Sequence, residues 1–249
     1  MRNVTETVKQ LIIINILFFI GTQIVGDAAY QMLAMYFPEN SSFQFWQPIT
    51  HMFMHGGFMH IFFNMFALYS FGSALEHFWG GKKFLFFYIS CGLGAALLHT
   101  GINYYFFQDG MNTLIAQGFS KAEVLAVLNG KGSNEIVPIL NSPGFQNFTS
   151  AYMGTVVGAS GAIYGIIVAF AFMFPNAELA LMFIPVPIKA KYFVPGLVLV
   201  DLYLGVSGQS IFGSGGPGIA HFAHVGGALF GFLISWYWKK NQFNGNRWN

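Results

Sequence analysis

Apolar residues along this chain collect into six runs, near 10–27, 58–76, 84–101, 157–174, 192–206 and 218–238, with polar, glycine and proline residues crowded between them. Crossing the hydrocarbon of a bilayer as a helix takes about 20 mainly apolar residues, and fewer where a segment starts below the surface. The pattern predicts an all-α fold, a polytopic membrane bundle of six transmembrane helices. One integrated domain over residues 1–249 is expected rather than separate units.

The intervals between the runs differ in character. Residues 28–57 carry Tyr30, Tyr36, Phe37, Phe43, Phe45 and Trp46 with few charges, which suits an outer loop lying partly embedded at the interface. Non-helical backbone at that depth has to be buried in protein. Residues 102–150, with Asp109, Asn112, Gln117 and the run Gly130 to Asn134, read as a mostly water-exposed outer connection. Within it Ser120-Lys121-Ala122-Glu123 forms a capping box, followed by Val124, Leu125, Val127 and Leu128 and stopped by Asn129-Gly130. That is the signature of a short amphipathic helix. Pro175, Pro185 and Pro187 mark an inner loop. Glycines 205, 208, 213, 215, 216 and 218 make a mobile outer stretch, a candidate lid beside the helix of His221 and His224.

Composition and charge sharpen this picture. With 55% apolar and 8% charged residues, the chain has too little polar surface to cover a soluble domain. Of the eleven Lys and Arg residues, Arg2, Lys9, Lys82, Lys83, Lys189, Lys191, Lys239, Lys240 and Arg247 fall on one side of the six-span arrangement, and Lys121 and Lys131 on the other. Positive charge in short loops stays inside, so both termini are expected in the cytoplasm, with a bacterial plasma membrane as the setting. The net charge of +2 reflects topology and implies no nucleic-acid partner. A single cysteine, Cys91, leaves no intramolecular disulfide to form. The first run lacks a small-residue cleavage site and reads as a retained signal anchor.

Against this apolar background a few polar residues stand out, because hydrocarbon makes them costly unless they have a role. Ser160, in Gly158-Ala159-Ser160-Gly161, opens the fourth run. There the free amides and positive dipole end of a helix face any oxyanion that forms. His224, in Ala223-His224-Val225-Gly226-Gly227, lies roughly 9 Å below a helix start near Gly218, at a depth matching Ser160. Gly227 and Gly231 give that helix a small-residue face for close approach. Tyr164 follows Ser160 by one turn and is placed to hold an imidazole.

A serine hydroxyl needs a base to become a nucleophile, and histidine is the usual one. His60 and Asn64, spaced i to i+4, face one direction on the second helix and offer side-chain donors to an oxyanion alongside the Ser160 amide. Packing and interhelical bonding are the bland reading of these residues. The spacings of His51, His55, His60, His221 and His224 also suit a metal, but no cysteine joins them, and no metal or other cofactor is expected. His51, His55 and His221 read as interfacial or packing residues. Asp201 sits in the outer half of the fifth run, yet nothing in the sequence places a carboxylate as a triad's third member, so the expectation is a dyad. Glu76 is expected to brace the inner end of the second helix or pair with Lys82 or Lys83.

Taken together, His60-Ile61-Phe62-Phe63-Asn64, Gly158-Ala159-Ser160-Gly161 with Tyr164, and Ala223-His224-Val225-Gly226-Gly227 with Gly231 resemble the rhomboid family of intramembrane serine proteases. The resemblance covers roughly 45–100 and 150–238, in a core of about 45–238 interrupted by an outer insertion of about 102–150 that is long beside the family's compact bacterial core. It implies Ser160 as nucleophile and His224 as general base without a catalytic acid. It also implies His60, Asn64 and the Ser160 amide as oxyanion donors, with membrane-spanning proteins, cut near the outer end of their helix, as substrates. A catalytically silent adaptor binding client helices in the lipid bilayer is the alternative from another class. A transporter is a third, against which no inverted repeat is evident.

Overall fold

The computed structural model describes residues 4–132, 135–181, 184–208 and 221–241, so most of the glycine-rich candidate lid lies outside the described residues. In chain order the helices begin with α1 (Glu6–Val25), α2 (Asp27–Leu33), α3 (Phe58–Trp79) and α4 (Gly81–Ala116). They continue with α5 (Lys121–Leu128), α6 (Gln146–Met153) and α7 (Ser160–Met173), then α8 (Ala190–Ser207) and α9 (His221–Asn241). The fold is mostly helical, as expected. Between α7 and α8, where the prolines predicted only a loop, β1 (Glu178–Leu181) pairs antiparallel with β2 (Ile184–Lys189). Pro185 and Pro187 fit β2 because a two-stranded ribbon has only edges.

Among the described residues, α1, α3, α4 and α8 are long and apolar enough to cross a membrane. Helices α7 and α9 occupy the remaining two predicted runs but differ in kind. Helix α7 is 14 residues long, about 21 Å, while α9 has 21 residues diluted by histidines, glycines and terminal lysines. Both pack against α4 and each other at the centre of the bundle. The main core gathers Leu68, Phe84, Phe87, Tyr88, Cys91, Ile163 and Ile166.

One end of the bundle is tied together by contacts that bring helix termini to a common level. Glu76, near the end of α3, accepts bonds from the Thr5 hydroxyl (2.5 Å) and from the Thr7 and Val8 amides (both 2.9 Å). It therefore caps the start of α1 rather than pairing with Lys82 or Lys83. The first amides of a helix lack intrahelical acceptors and carry its positive dipole end, and a carboxylate from a neighbouring helix satisfies both. At the same end, Lys83 lies 4.2 Å from the Trp238 ring and Lys239 lies 4.8 Å from the Phe172 ring.

The opposite end of the bundle departs from expectation. Helix α4 does not stop near residue 101 but continues to Ala116. Its polar residues 108, 109 and 112 resemble a loop in composition. Yet Asn103, Phe107, Gly110, Met111 and Leu114 recur at helical spacing, and all are buried. The extension joins α5 and α6 in a second core of Phe107, Met111, Leu114, Val124, Leu128, Phe148 and Tyr152, closed by Phe37 of the outer loop. The insertion is thus packed around its own core. The expected capping box is present at α5, and bonds from the Ser120 amide and hydroxyl hold the Glu123 carboxyl below the usual carboxylate range.

The outer loop itself is stitched by a buried side chain. Gln47 accepts bonds from the amides of Tyr36 (3.3 Å) and Gln44 (3.1 Å) and donates to the carbonyls of Gln31 (3.3 Å) and Ser42 (3.0 Å). Irregular backbone buried in protein needs such partners. The insertion grips the same loop through Lys121 and Glu39 (2.9 Å) and through Asn40 on the Tyr152 carbonyl (2.8 Å).

Candidate active site

The residues leading into α7 are fixed by the outer loop. Met35 and Val156 exchange two backbone hydrogen bonds, of 3.0 and 2.9 Å, and the Gly158 amide donates to the His51 carbonyl at 2.9 Å. Gly158 has φ +133, a conformation that side chains rarely allow, and a Cβ there would stand 2.8 Å from His60 Nε2. Only glycine fits both demands. The turn ends by placing Ser160 as the first residue of α7, at the helix end whose amides have no intrahelical acceptor.

Glycines then bring the histidine in. A Cβ on Gly227 would collide with the Gly161 carbonyl, and one on Gly231 would lie 2.5 Å from the Gly165 Cα. Two layers of bare backbone one turn apart let α7 and α9 nearly touch. His224 Nε2 consequently lies 2.9 Å from Ser160 Oγ. The Tyr164 ring stacks on the imidazole with centroids 4.3 Å apart and planes 8° from parallel.

The structure corrects the expectation that no carboxylate stands behind the histidine. Asp201 on α8 is 5% exposed, and its Oδ1 accepts from His224 Nδ1 at 3.0 Å and from His221 Nδ1 at 2.5 Å. Its Oδ2 accepts from the Tyr164 hydroxyl. His221 is therefore a partner of the site rather than an interfacial residue. A signal existed in the sequence: Asp201 lies seven residues before Gly208 and His224 six residues after Gly218, the glycines on either side of the intervening stretch. On antiparallel neighbours those distances from the outer end put the two side chains at similar depth. Asp201, His221 and His224 also bring their ligand atoms within 4.8 Å of one another, the one such group among the described residues. Hydrogen bonds account for each of those approaches.

A carboxylate only accepts, so both Nδ1 atoms carry protons, and a neutral His224 ring then has its lone pair on Nε2, facing the Ser160 hydroxyl. His60 is set the other way round. Its Nδ1 accepts from the Gly56 amide at 3.3 Å, which leaves the proton on Nε2, the atom nearest the Gly158 Cα hydrogen and the Ser160 side. Asn64 is buried, and its Nδ2 donates to the His60 carbonyl at 2.8 Å. That bond uses one of its two hydrogens and steadies the turn carrying His60. His55 is buried with its ring edge-on to His60, centroids 5.0 Å apart. His51 is buried too, its Nδ1 bonded to the Gln47 carbonyl at 2.9 Å.

A membrane helix bundle that presents a serine hydroxyl to an imidazole, at the mouth of a short helix, belongs to a recognisable class of intramembrane proteins. The Rhomboid domain model matches residues 42–129 and 136–241, and this chain belongs to the rhomboid family. The match runs through most of the outer insertion and omits only 130–135.

Among similar proteins are the mitochondrial rhomboid protein 1 of Saccharomyces cerevisiae, 25% identical over 76% of this chain and 40% of its own length. An uncharacterized mitochondrial rhomboid protein of Schizosaccharomyces pombe is 28% identical over 80% of this chain and 53% of its own length. The mitochondrial presenilin-associated rhomboid-like protein A of Danio rerio is 24% identical over 86% and 45%. This chain thus spans about half the length of these curated relatives. All three are named as mitochondrial, which gives no support to the bacterial plasma membrane expected from the sequence.

Proposed function

We propose that the chain is an intramembrane serine protease in which Ser160 and His224 cut membrane-spanning proteins near the outer end of their helix. The observation that carries this reading is the 2.9 Å contact between Ser160 Oγ and Nε2 of His224. As Oγ bonds to the scissile carbonyl carbon, its proton passes to His224 Nε2. The carbonyl oxygen becomes an oxyanion facing the Ser160 amide and the donors of His60 and Asn64. His224 then gives its proton to the departing amine as the C–N bond breaks. Water entering from the outer side releases the acyl group by the same steps in reverse roles.

The same reading takes all six apolar helices as crossings. The contacts Glu76–Thr5, Lys83–Trp238 and Lys239–Phe172 tie the ends of α1, α3, α4, α7 and α9 at one level, as an alternating bundle requires. With lysines concentrated at that end, both termini lie on the inner side of the membrane. Helix α7 starts below the outer surface, which is why 14 residues suffice and why Ser160 is both sunken and reachable by water.

Labelling of the purified protein in detergent with a fluorophosphonate probe tests the assignment. Wild type labels, while Ser160→Ala and His224→Ala do not. Labelling that persists in Ser160→Ala refutes the nucleophile, and folded wild type that never labels favours the catalytically silent adaptor.

A further inference from the structure

We propose that Asp201 is a positioning residue for His224, making the site a serine–histidine–aspartate triad rather than a dyad. The inference rests on the reading of Ser160 and His224 given above and adds a member on a third helix. Asp201 is the buried acid of α8, and every donor that reaches it belongs to the site. Its three bonds come from His224, His221 and Tyr164, on α9 and α7. A carboxylate serving only to join α8 to its neighbours could meet any polar group along their length. This one stands at the Nδ1 of the base, opposite the nitrogen that meets Ser160.

Two consequences follow from that position. First, an acceptor at Nδ1 fixes the tautomer, so the lone pair is always on Nε2 where Ser160 needs it. Second, when Oγ bonds to the carbonyl carbon and its proton moves to Nε2, the ring becomes a cation 3.0 Å from Oδ1. The carboxylate stabilises that charge without taking a proton itself, so the stabilisation is stronger in the transition state than in the resting enzyme. The Tyr164 hydroxyl on Oδ2 and the His221 imidazole sharing Oδ1 keep the carboxylate turned to this task. Tyr164 thus braces the base twice, by stacking on its ring and by holding its partner.

The test uses the full chain in detergent with uniformly ¹⁵N-labelled histidine. Nitrogen spectra of the native protein assign the resting tautomer of His224, with Ser160→Ala and His224→Ala as references. The proposal requires a neutral ring protonated at Nδ1, with a far-downfield proton that survives Ser160→Ala and vanishes in Asp201→Asn. A ring protonated at Nε2 overturns it without any variant of Asp201 having to fold. In the labelling assay, run well below the melting temperature of the variant, Asp201→Asn should react roughly 10- to 1000-fold more slowly than wild type, with the loss in kcat and not KM for a cleaved membrane substrate. Asp201→Asn labelling at the wild-type rate with the downfield proton intact overturns the role of Asp201 alone. Wild-type labelling indifferent to His224→Ala instead sinks the underlying assignment of the base.

Discussion

The ring of Tyr164 lies flat on the imidazole of His224, 4.3 Å away and 8° from parallel, so the helix that carries Ser160 also clamps His224. The two side chains reach each other from α7 and α9 only because the backbones between them are bare.

The clamp has two separable parts, the face of the ring and its hydroxyl. Tyr164→Phe keeps the stacked face and removes the bond to Asp201, whereas Tyr164→Leu removes both. Stacked aromatic pairs contribute about 1 kcal/mol beyond their area, which corresponds to roughly a fivefold change in rate. Labelling by a fluorophosphonate is expected to slow more in the leucine variant than in the phenylalanine variant by about that factor. Equal losses would assign the whole effect to the hydroxyl.

Contact between α7 and α9 makes Gly227 the position least able to accept a side chain. A methyl group there meets the Gly161 carbonyl, which is backbone and cannot swing away. Gly227→Ala is expected to destabilise the protein by about 1–3 kcal/mol and to move His224 away from Ser160, where a displacement near 1 Å is enough for a loss of roughly 100-fold. Gly196→Ala on α8 is the control, because nothing lies within 4 Å of a Cβ at that position. Thermal melts and labelling rates of the two variants should diverge sharply. A normal Gly227→Ala would mean that the helices can separate without consequence.

How much of this was legible beforehand depends on the reach of each interaction. Apolar runs mark helices locally, so α1, α3, α7 and α8 fall close to the predicted intervals, and the capping box at Ser120 and Glu123 marks α5. The outward extension of α4 was masked because Gln108, Asp109 and Asn112 carry the composition of a loop, while the burial of Phe107 and Leu114 depends on α6 and Phe37, distant in sequence. Ser160 and His224 were visible through their small-residue neighbours. Asp201 was visible as a costly acid but not as their partner, since its pairing depends on relative depth across the glycine-rich connection. Glu76 was legible as a brace at the end of the second helix but not by its partners, because the amides it caps are on the first helix, distant in sequence.

That cap on α1 leads to a prediction about stability rather than chemistry. Glu76 is 7% exposed and accepts three bonds from the first turn of α1. Hydrogen bonds to a charged group contribute about 1.5–3 kcal/mol, and here removal of the acceptor also strands buried amides at a helix terminus. Glu76→Ala should therefore lower the melting temperature in detergent, with faster hydrogen exchange in the first turn of α1, and Glu76→Gln should do so less because it keeps one acceptor oxygen. Glu76 and Ser160 sit at opposite ends of the bundle, so the labelling rate of the folded variant, measured well below its melting point, is expected to match wild type. A loss of labelling at full stability would instead mean that α1 transmits strain to the outer end. Unchanged melting in Glu76→Ala would mean that water caps α1 as well as the carboxylate does.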